Sequence, residues 1–258
     1  MESQQILEEW MDNTSWIDPV SMEAHSLQWQ SPRESTKAFS EFLHGILGVA
    51  SHNVIDLGCG TGAATYYLAK KFPSSVFVGL DLSPELIRVA NEIDLVKSQS
   101  NLSFQVGDMF DLAVIPNIDC VISQQTLSWL PEYEEPLRQI FTKIGPKFLM
   151  ISSLLYEGDI TAKTIISENV KKRKVFYNTY SIPEIERFSK GYGYEVLKFQ
   201  PFEIPIELQK PTNLDIMGTY TANVLKHEST ERLQISGPLL MSQMFLCLRR
   251  VGESPNAK

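Results

Sequence analysis

Asn53-Val54-Ile55-Asp56-Leu57-Gly58-Cys59-Gly60-Thr61-Gly62 decides the fold. A short apolar run ends in an acid, and three glycines then alternate with small residues. Val54, Ile55 and Leu57 read as a buried parallel strand, because both faces of such a strand must be apolar when helices cover the sheet. The glycines allow a sharp turn and a ligand approach that a Cβ would block. Ala64, Leu68 and Phe72 then fall on one face of a helix. Strand, glycine turn and helix together build a small-molecule site.

The glycines alone do not name the ligand, since Gly58-x-Gly60-x-x-Ala63 also satisfies the loose dinucleotide fingerprint. Asp56 stands at the strand end, two residues before the first glycine. A second strand, Val76-Phe77-Val78-Gly79-Leu80, ends in Asp81, where an acid can meet a ribose. A third, Phe104-Gln105-Val106-Gly107, ends in Asp108. No phosphate-binding lysine follows the glycines, which argues against a P-loop. Three acids around a glycine turn suit a ligand carrying an amino group, a ribose diol and an adenine, and no pyrophosphate.

Asp56-Leu57-Gly58-Cys59-Gly60-Thr61-Gly62, followed by Asp81 and Asp108, resembles the class I S-adenosylmethionine-dependent methyltransferases. Asp119-Cys120-Val121-Ile122-Ser123-Gln124-Gln125-Thr126-Leu127-Ser128-Trp129-Leu130-Pro131 is similar to the small-molecule branch typified by trans-aconitate methyltransferases. The resemblance covers roughly 53–153. It implies an α/β, Rossmann-like fold: a seven-stranded, mostly parallel sheet with helices on both faces and an antiparallel last strand. It also implies S-adenosylmethionine as cofactor and a small-molecule methyl acceptor as partner.

Composition is consistent with that reading. A chain of 258 residues can bury a full core. The formal charge of −8 disfavours a nucleic-acid surface, whose affinity comes from Lys and Arg neutralising phosphates. Lys171-Lys172-Arg173-Lys174, the one dense basic run, reads as a solvated face. Cys59, Cys120 and Cys247 show no CxxC spacing, so neither a disulfide frame nor a metal site is expected. The N-terminal residues lack the pattern of a signal peptide. No apolar stretch approaches the ~18 residues that span a bilayer. A cytoplasmic protein with no membrane partner is the expectation.

Along the chain, 1–50 reads as a helical N-terminal cap and 51–258 as the methyltransferase domain. Ser35 to Leu47 has helical spacing. Ser83-Pro84-Glu85 and Ser181-Ile182-Pro183-Glu184 carry helix-start chemistry. Val196-Leu197-Lys198-Phe199 is the expected sixth strand and Leu239 to Leu248 the last. The segment 156–180 departs from a minimal methyltransferase and reads as an insertion near the site. The segment 211–237 reads as a hairpin extension.

Carried over from the family, Asp56 orders the turn and faces the cofactor's amino end, while Gly58, Cys59, Gly60 and Gly62 admit its backbone. Asp81 accepts both ribose hydroxyls, Leu82 lies against the adenine, Asp108 accepts from its amine, and Met109 lies alongside. Gln124 approaches the methionyl part. Arg33 either meets the cofactor's carboxylate or is a surface arginine. Gln125, Trp129 and Tyr180 are the substrate-binding candidates, with core packing as the alternative for each. No catalytic base is assigned: His25, His44, His52 and His227 sit in no motif, and a carboxylate acceptor needs none. The rival readings are an NAD(P)-dependent oxidoreductase and a non-catalytic S-adenosylmethionine-binding regulator.

Overall fold

The computed structural model describes residues 19–168, 173–210, 212, 218–226 and 229–237. The chain divides after Pro205 into two compact units. In the first, α1 (Pro19–Gln30) and α2 (Glu34–Leu47) precede β1 (Asn53–Leu57) and α3 (Ala63–Lys71). Then come β2 (Val76–Asp81), α4 (Pro84–Glu92), the single turn α5 (Asp94–Lys97), β3 (Leu102–Val106) and β4 (Cys120–Gln124). A 3₁₀ turn at Leu127–Trp129, α6 (Glu134–Gln139) with a π turn to Ile144, and β5 (Phe148–Ser152) complete the core. β1 to β5 form one parallel sheet in the order β3-β2-β1-β4-β5.

The period of two in the strands explains how both faces are filled. Val54, Cys120 and Ile122 point into one apolar cluster with Phe39, Leu43, Leu68 and Phe77. Ile55, Leu57 and Val121 point into the other with Leu80, Leu137 and Ile140. Strand order reverses between β1 and β4, so their carboxyl ends frame the crevice where open α/β sheets bind ligands.

The helix starts follow the sequence chemistry. Ser83 Oγ accepts from Leu86 N at 3.3 Å, and Ser181 Oγ accepts from Glu184 N at 3.1 Å. The capping box at Ser181 is only half made, because the Glu184 carboxylate accepts from the Thr161 hydroxyl instead. Among the described residues the central sheet has five strands, not seven. Val196–Phe199 joins no ladder, and Leu197 is 70% exposed. The run is short, and Pro201 and Pro205, which carry no N–H, follow it. The chain is anchored just before it by Tyr194, whose ring stacks on Phe141 at 4.2 Å and whose hydroxyl donates to Pro146 O at 2.8 Å. The expected last strand at Leu239 to Leu248 lies outside the described residues.

The segment after β5 is built as a closed device. β6 (Leu155–Tyr156) pairs in parallel with β9 (Tyr180–Ser181), and between them β7 (Ile165–Glu168) and β8 (Arg173–Phe176) form an antiparallel pair. α7 (Ile182–Lys190) follows. Fully buried Asn178 fixes this insertion to the turn after β4. Its Nδ2 donates to Leu130 O at 2.8 Å, its backbone N donates to Ser128 O at 2.8 Å, and its Oδ1 accepts from Thr164 N at 2.9 Å. In the second unit, β10 (Gly218–Lys226) and β11 (Ser229–Gly237) pair antiparallel.

Asn178→Ala leaves the Thr164 N–H without its partner and removes one of the two donors to the buried Leu130 carbonyl, so it is expected to lower stability by about 1–3 kcal/mol. Urea unfolding checks this, and a loss well below 1 kcal/mol would show that water replaces the side chain.

Candidate functional site

The glycine turn hangs from β2. Gly58 N and Cys59 N both donate to Leu80 O, at 2.8 and 3.1 Å. One residue on, Asp81 Oδ2 accepts from Gly60 N at 2.8 Å and Oδ1 accepts from Ser83 N at 2.9 Å. Gly62 has φ +84 and caps α3, with Tyr66 N donating to its carbonyl at 2.8 Å. A side chain there would be strained by that φ and would also run into the Phe104 ring, so only glycine serves. Thr126 Oγ1 ties Gly58 to the end of β4, reaching Gly58 O at 3.3 Å and Gln124 O at 3.1 Å.

Asp56 lies beneath this turn and is 1% exposed. Thr65, on the first turn of α3, donates to its Oδ2 at 2.7 Å. Oδ1 has no hydrogen-bond partner among the described residues. Burial pushes its pKa up from 3.8 to about 7, with the Thr65 hydrogen bond opposing and the Asp81 charge adding to the rise. The Asp81 pKa is raised as well, mainly by burial, while its two backbone donors and the nearby imidazole of His25 hold it back. Cys59 is inert for nucleophilic work, since burial and then the charges of Asp56 and Asp81 push its thiol well up.

The other expected residues fall in three groups. At the sheet's carboxyl edge, Gln124 has a buried Nε2 without a partner among the described residues. Leu82 and Met109 are half-buried, and Asp108 is a half-buried loop acid whose Oδ1 accepts from Phe110 N at 2.8 Å. Beside them Gln125 is held at φ +57, a left-handed backbone that a residue with a side chain rarely takes. Its N donates to Ser152 O at 2.7 Å and its exposed side chain reaches Ser152 Oγ at 3.2 Å. Trp129 is half-buried, with the Tyr177 ring edge-on at 4.7 Å.

Tyr180 takes the core-packing alternative. Its side chain is fully buried, and its hydroxyl donates to Leu130 O at 3.1 Å and accepts from Asn178 Nδ2 at 2.9 Å. It presents no surface to a ligand, because the insertion folds over it. Arg33 is exposed, with neighbouring chain that lowers its pKa by desolvation, and it has no ion pair among the described residues. It precedes α2, whose far end lies by the foot of α3, with His44 6.2 Å from Phe72.

Sequence reasoning missed His25 and Thr65. A histidine outside any motif gives no signal of its own. Thr65 is marked only by being a hydroxyl inside an otherwise apolar helix face.

This arrangement has one chemistry. A buried acid with a free oxygen, beside a Cβ-free turn, is built for a ligand that brings a positive or hydrogen-bond-donating group. Comparison with known proteins identifies the family. Residues 49–201 match the family model described as a methyltransferase domain. The chain belongs to the class I S-adenosylmethionine-dependent methyltransferases. It is similar to a trans-aconitate 2-methyltransferase of Mycobacterium tuberculosis, 34% identical over 37% of this chain and 34% of that one. A second such methyltransferase, from Rhodococcus jostii, is 33% identical over 54% and 52%. A malonyl-[acyl-carrier protein] O-methyltransferase of Bacillus cereus is 32% identical over 61% and 57%. The chain thus matches about a third to three-fifths of the length of these curated relatives. Among solved structures, a putative sarcosine dimethylglycine methyltransferase from Galdieria sulphuraria gives a TM-score of 0.47 at 16% identity, covering 64% and 66%. Among the described residues no helix of this methyltransferase is long and apolar enough to cross a membrane, and no group of three or more metal-ligating side chains is gathered.

Asp56 makes stability depend on pH. The folded protein keeps a proton that the unfolded chain loses near 3.8, so this contribution is full below that pH and is lost as pH rises to about 7. Asp56→Asn is expected to flatten the slope, leaving the part due to Asp81, and to make the variant more stable than wild type at pH 8, on the order of 2–4 kcal/mol. Urea unfolding between pH 4 and 8 reads this directly, and parallel curves would show that Asp56 is ionised throughout.

Proposed function

We propose that this chain transfers a methyl group from S-adenosylmethionine to a small-molecule acceptor by direct in-line displacement. The observation that carries the reading is the free Oδ1 of buried Asp56 under the glycine turn, at the sheet's switch point. The bound cofactor supplies a sulfonium, a leaving group that makes its methyl transferable without acid assistance.

The chain's own part is to bind, aim and exclude water. Asp56, once ionised, serves the amino end of the cofactor. Gly58, Cys59, Gly60 and Gly62 let its backbone approach, and Asp81, already set by two backbone N–H groups, has lone pairs left for the ribose hydroxyls. Leu82 and Met109 flank the adenine, and Asp108 keeps one oxygen for its amine. Gln124 offers its unsatisfied amide to the methionyl part, and Arg33 is assigned to the cofactor's carboxylate. Gln125 and Trp129 face the acceptor.

The acceptor atom fits a carboxylate oxygen, which needs no base at neutral pH. None of the described histidines is placed to deprotonate an acceptor at the Trp129 end. His25 lies by Gly60, His44 by Phe72, and His52 Nε2 lies 3.2 Å from Leu47 O before β1. The relatives whose names specify trans-aconitate and a malonyl group support the same class.

Calorimetry of S-adenosylmethionine, S-adenosylhomocysteine and NADH against wild type and Asp81→Ala tests the reading. The two adenosyl ligands are expected to bind, NADH is not, and Asp81→Ala weakens binding by about 2 kcal/mol or more. NADH binding alone would replace the transferase with the oxidoreductase. In the same titrations near pH 6.5, ionisation of Asp56 on binding should release a proton, seen as a buffer-dependent enthalpy. A buffer-independent enthalpy would remove Asp56 from the amino end.

A further inference from the structure

On α1, Leu27 is 56% exposed, while the ring of Trp29 lies 5.4 Å from Tyr66 on α3. The indole Nε1 of Trp29 is buried without a hydrogen-bond partner among the described residues. One turn earlier, at i−4 and so on the same face, stands His25. A side-chain carbon built on Gly60 would lie 3.6 Å from His25 Cε1 and 4.0 Å from Nδ1, and apart from Gly60's chain neighbours no other atom of the described residues comes within 4 Å. The imidazole therefore stands on the Cβ-free side of Gly60. Gly60, with φ +58, is the residue whose N–H holds Asp81 Oδ2 at 2.8 Å. The histidine also acts on Asp81 electrostatically, favouring its ionised form.

We propose that His25 is a positioning residue for the cofactor: it closes the glycine turn over Gly60 and, through that turn, keeps the Asp81 carboxylate aimed at the ribose hydroxyls. The inference rests on the reading of Asp81 as the ribose acceptor. A surface histidine packed at random would not lie on the Cβ-free face of the middle glycine. A histidine placed only for volume would be matched there by any side chain of similar size.

The test compares His25→Leu, which keeps the volume and loses polarity, with His25→Gln, which keeps a donor at similar reach. The probes are S-adenosylhomocysteine and its 2′-deoxyribose analogue, titrated calorimetrically, with thermal melts of the free proteins as the folding control. Wild type is expected to prefer the intact ribose about ten-fold or more, His25→Leu to cut that preference to about three-fold or less, and His25→Gln to retain most of it. Equal behaviour of the two variants, an equal weakening of both ligands, or tighter binding by His25→Leu would overturn the proposal. A wild type that binds S-adenosylhomocysteine without discriminating the analogue removes the ribose role of Asp81, and the inference with it. No binding of either ligand to wild type removes the cofactor reading itself.

Discussion

The carboxyl edge of the sheet depends on the junction at Leu80 and Asp81. One backbone carbonyl takes two N–H groups from the glycine turn, and the next side chain takes a third from the turn and a fourth from the start of α4. These bonds turn a flexible run of glycines into a fixed cradle. They also set the carboxylate before any ligand arrives, so that binding need not order it. A glycine-rich loop without such anchors would lose more conformational entropy on meeting a ligand.

Beneath the cradle, the protein holds a carboxyl group where water cannot reach it. Thr65 satisfies one oxygen and leaves the other bare. An isolated buried charge is too costly to keep, so the group moves its proton affinity instead. On the proposed reading, the bare oxygen is the one that meets the cofactor's amino end. This cost is typical of a site shaped for binding rather than for stability.

How much could be read from the sequence follows from how local each signal is. The parallel strands, the glycine turn and the Ser83 and Ser181 caps are written in consecutive residues, and the structure contains them. Asp56, Asp81 and Asp108 were visible because strand ends bring acids to one edge of an α/β sheet. Tyr180 was left between substrate contact and core packing because its fate depends on where Leu130 and Asn178 lie, and no periodicity in 156–180 encodes that. His25 was passed over for the same reason: its significance comes from Gly60, which is distant in sequence. Val196–Phe199 had the composition of a strand but meets no pairing neighbour among the described residues, a condition that propensity does not express.

The insertion between β5 and α7 has its two ends zipped to each other by β6 and β9, and Asn178 bolts its base to the turn after β4. Its outer loop, from Glu157 to Thr164, is tied back to that base by its own side chains, with Thr161 Oγ1 accepting from Ser181 N and donating to the Glu184 carboxylate, and Asp159 paired with Arg187. Such an arrangement is a module closed on itself: rim positions other than these two can change while the base and the glycine turn keep their shape.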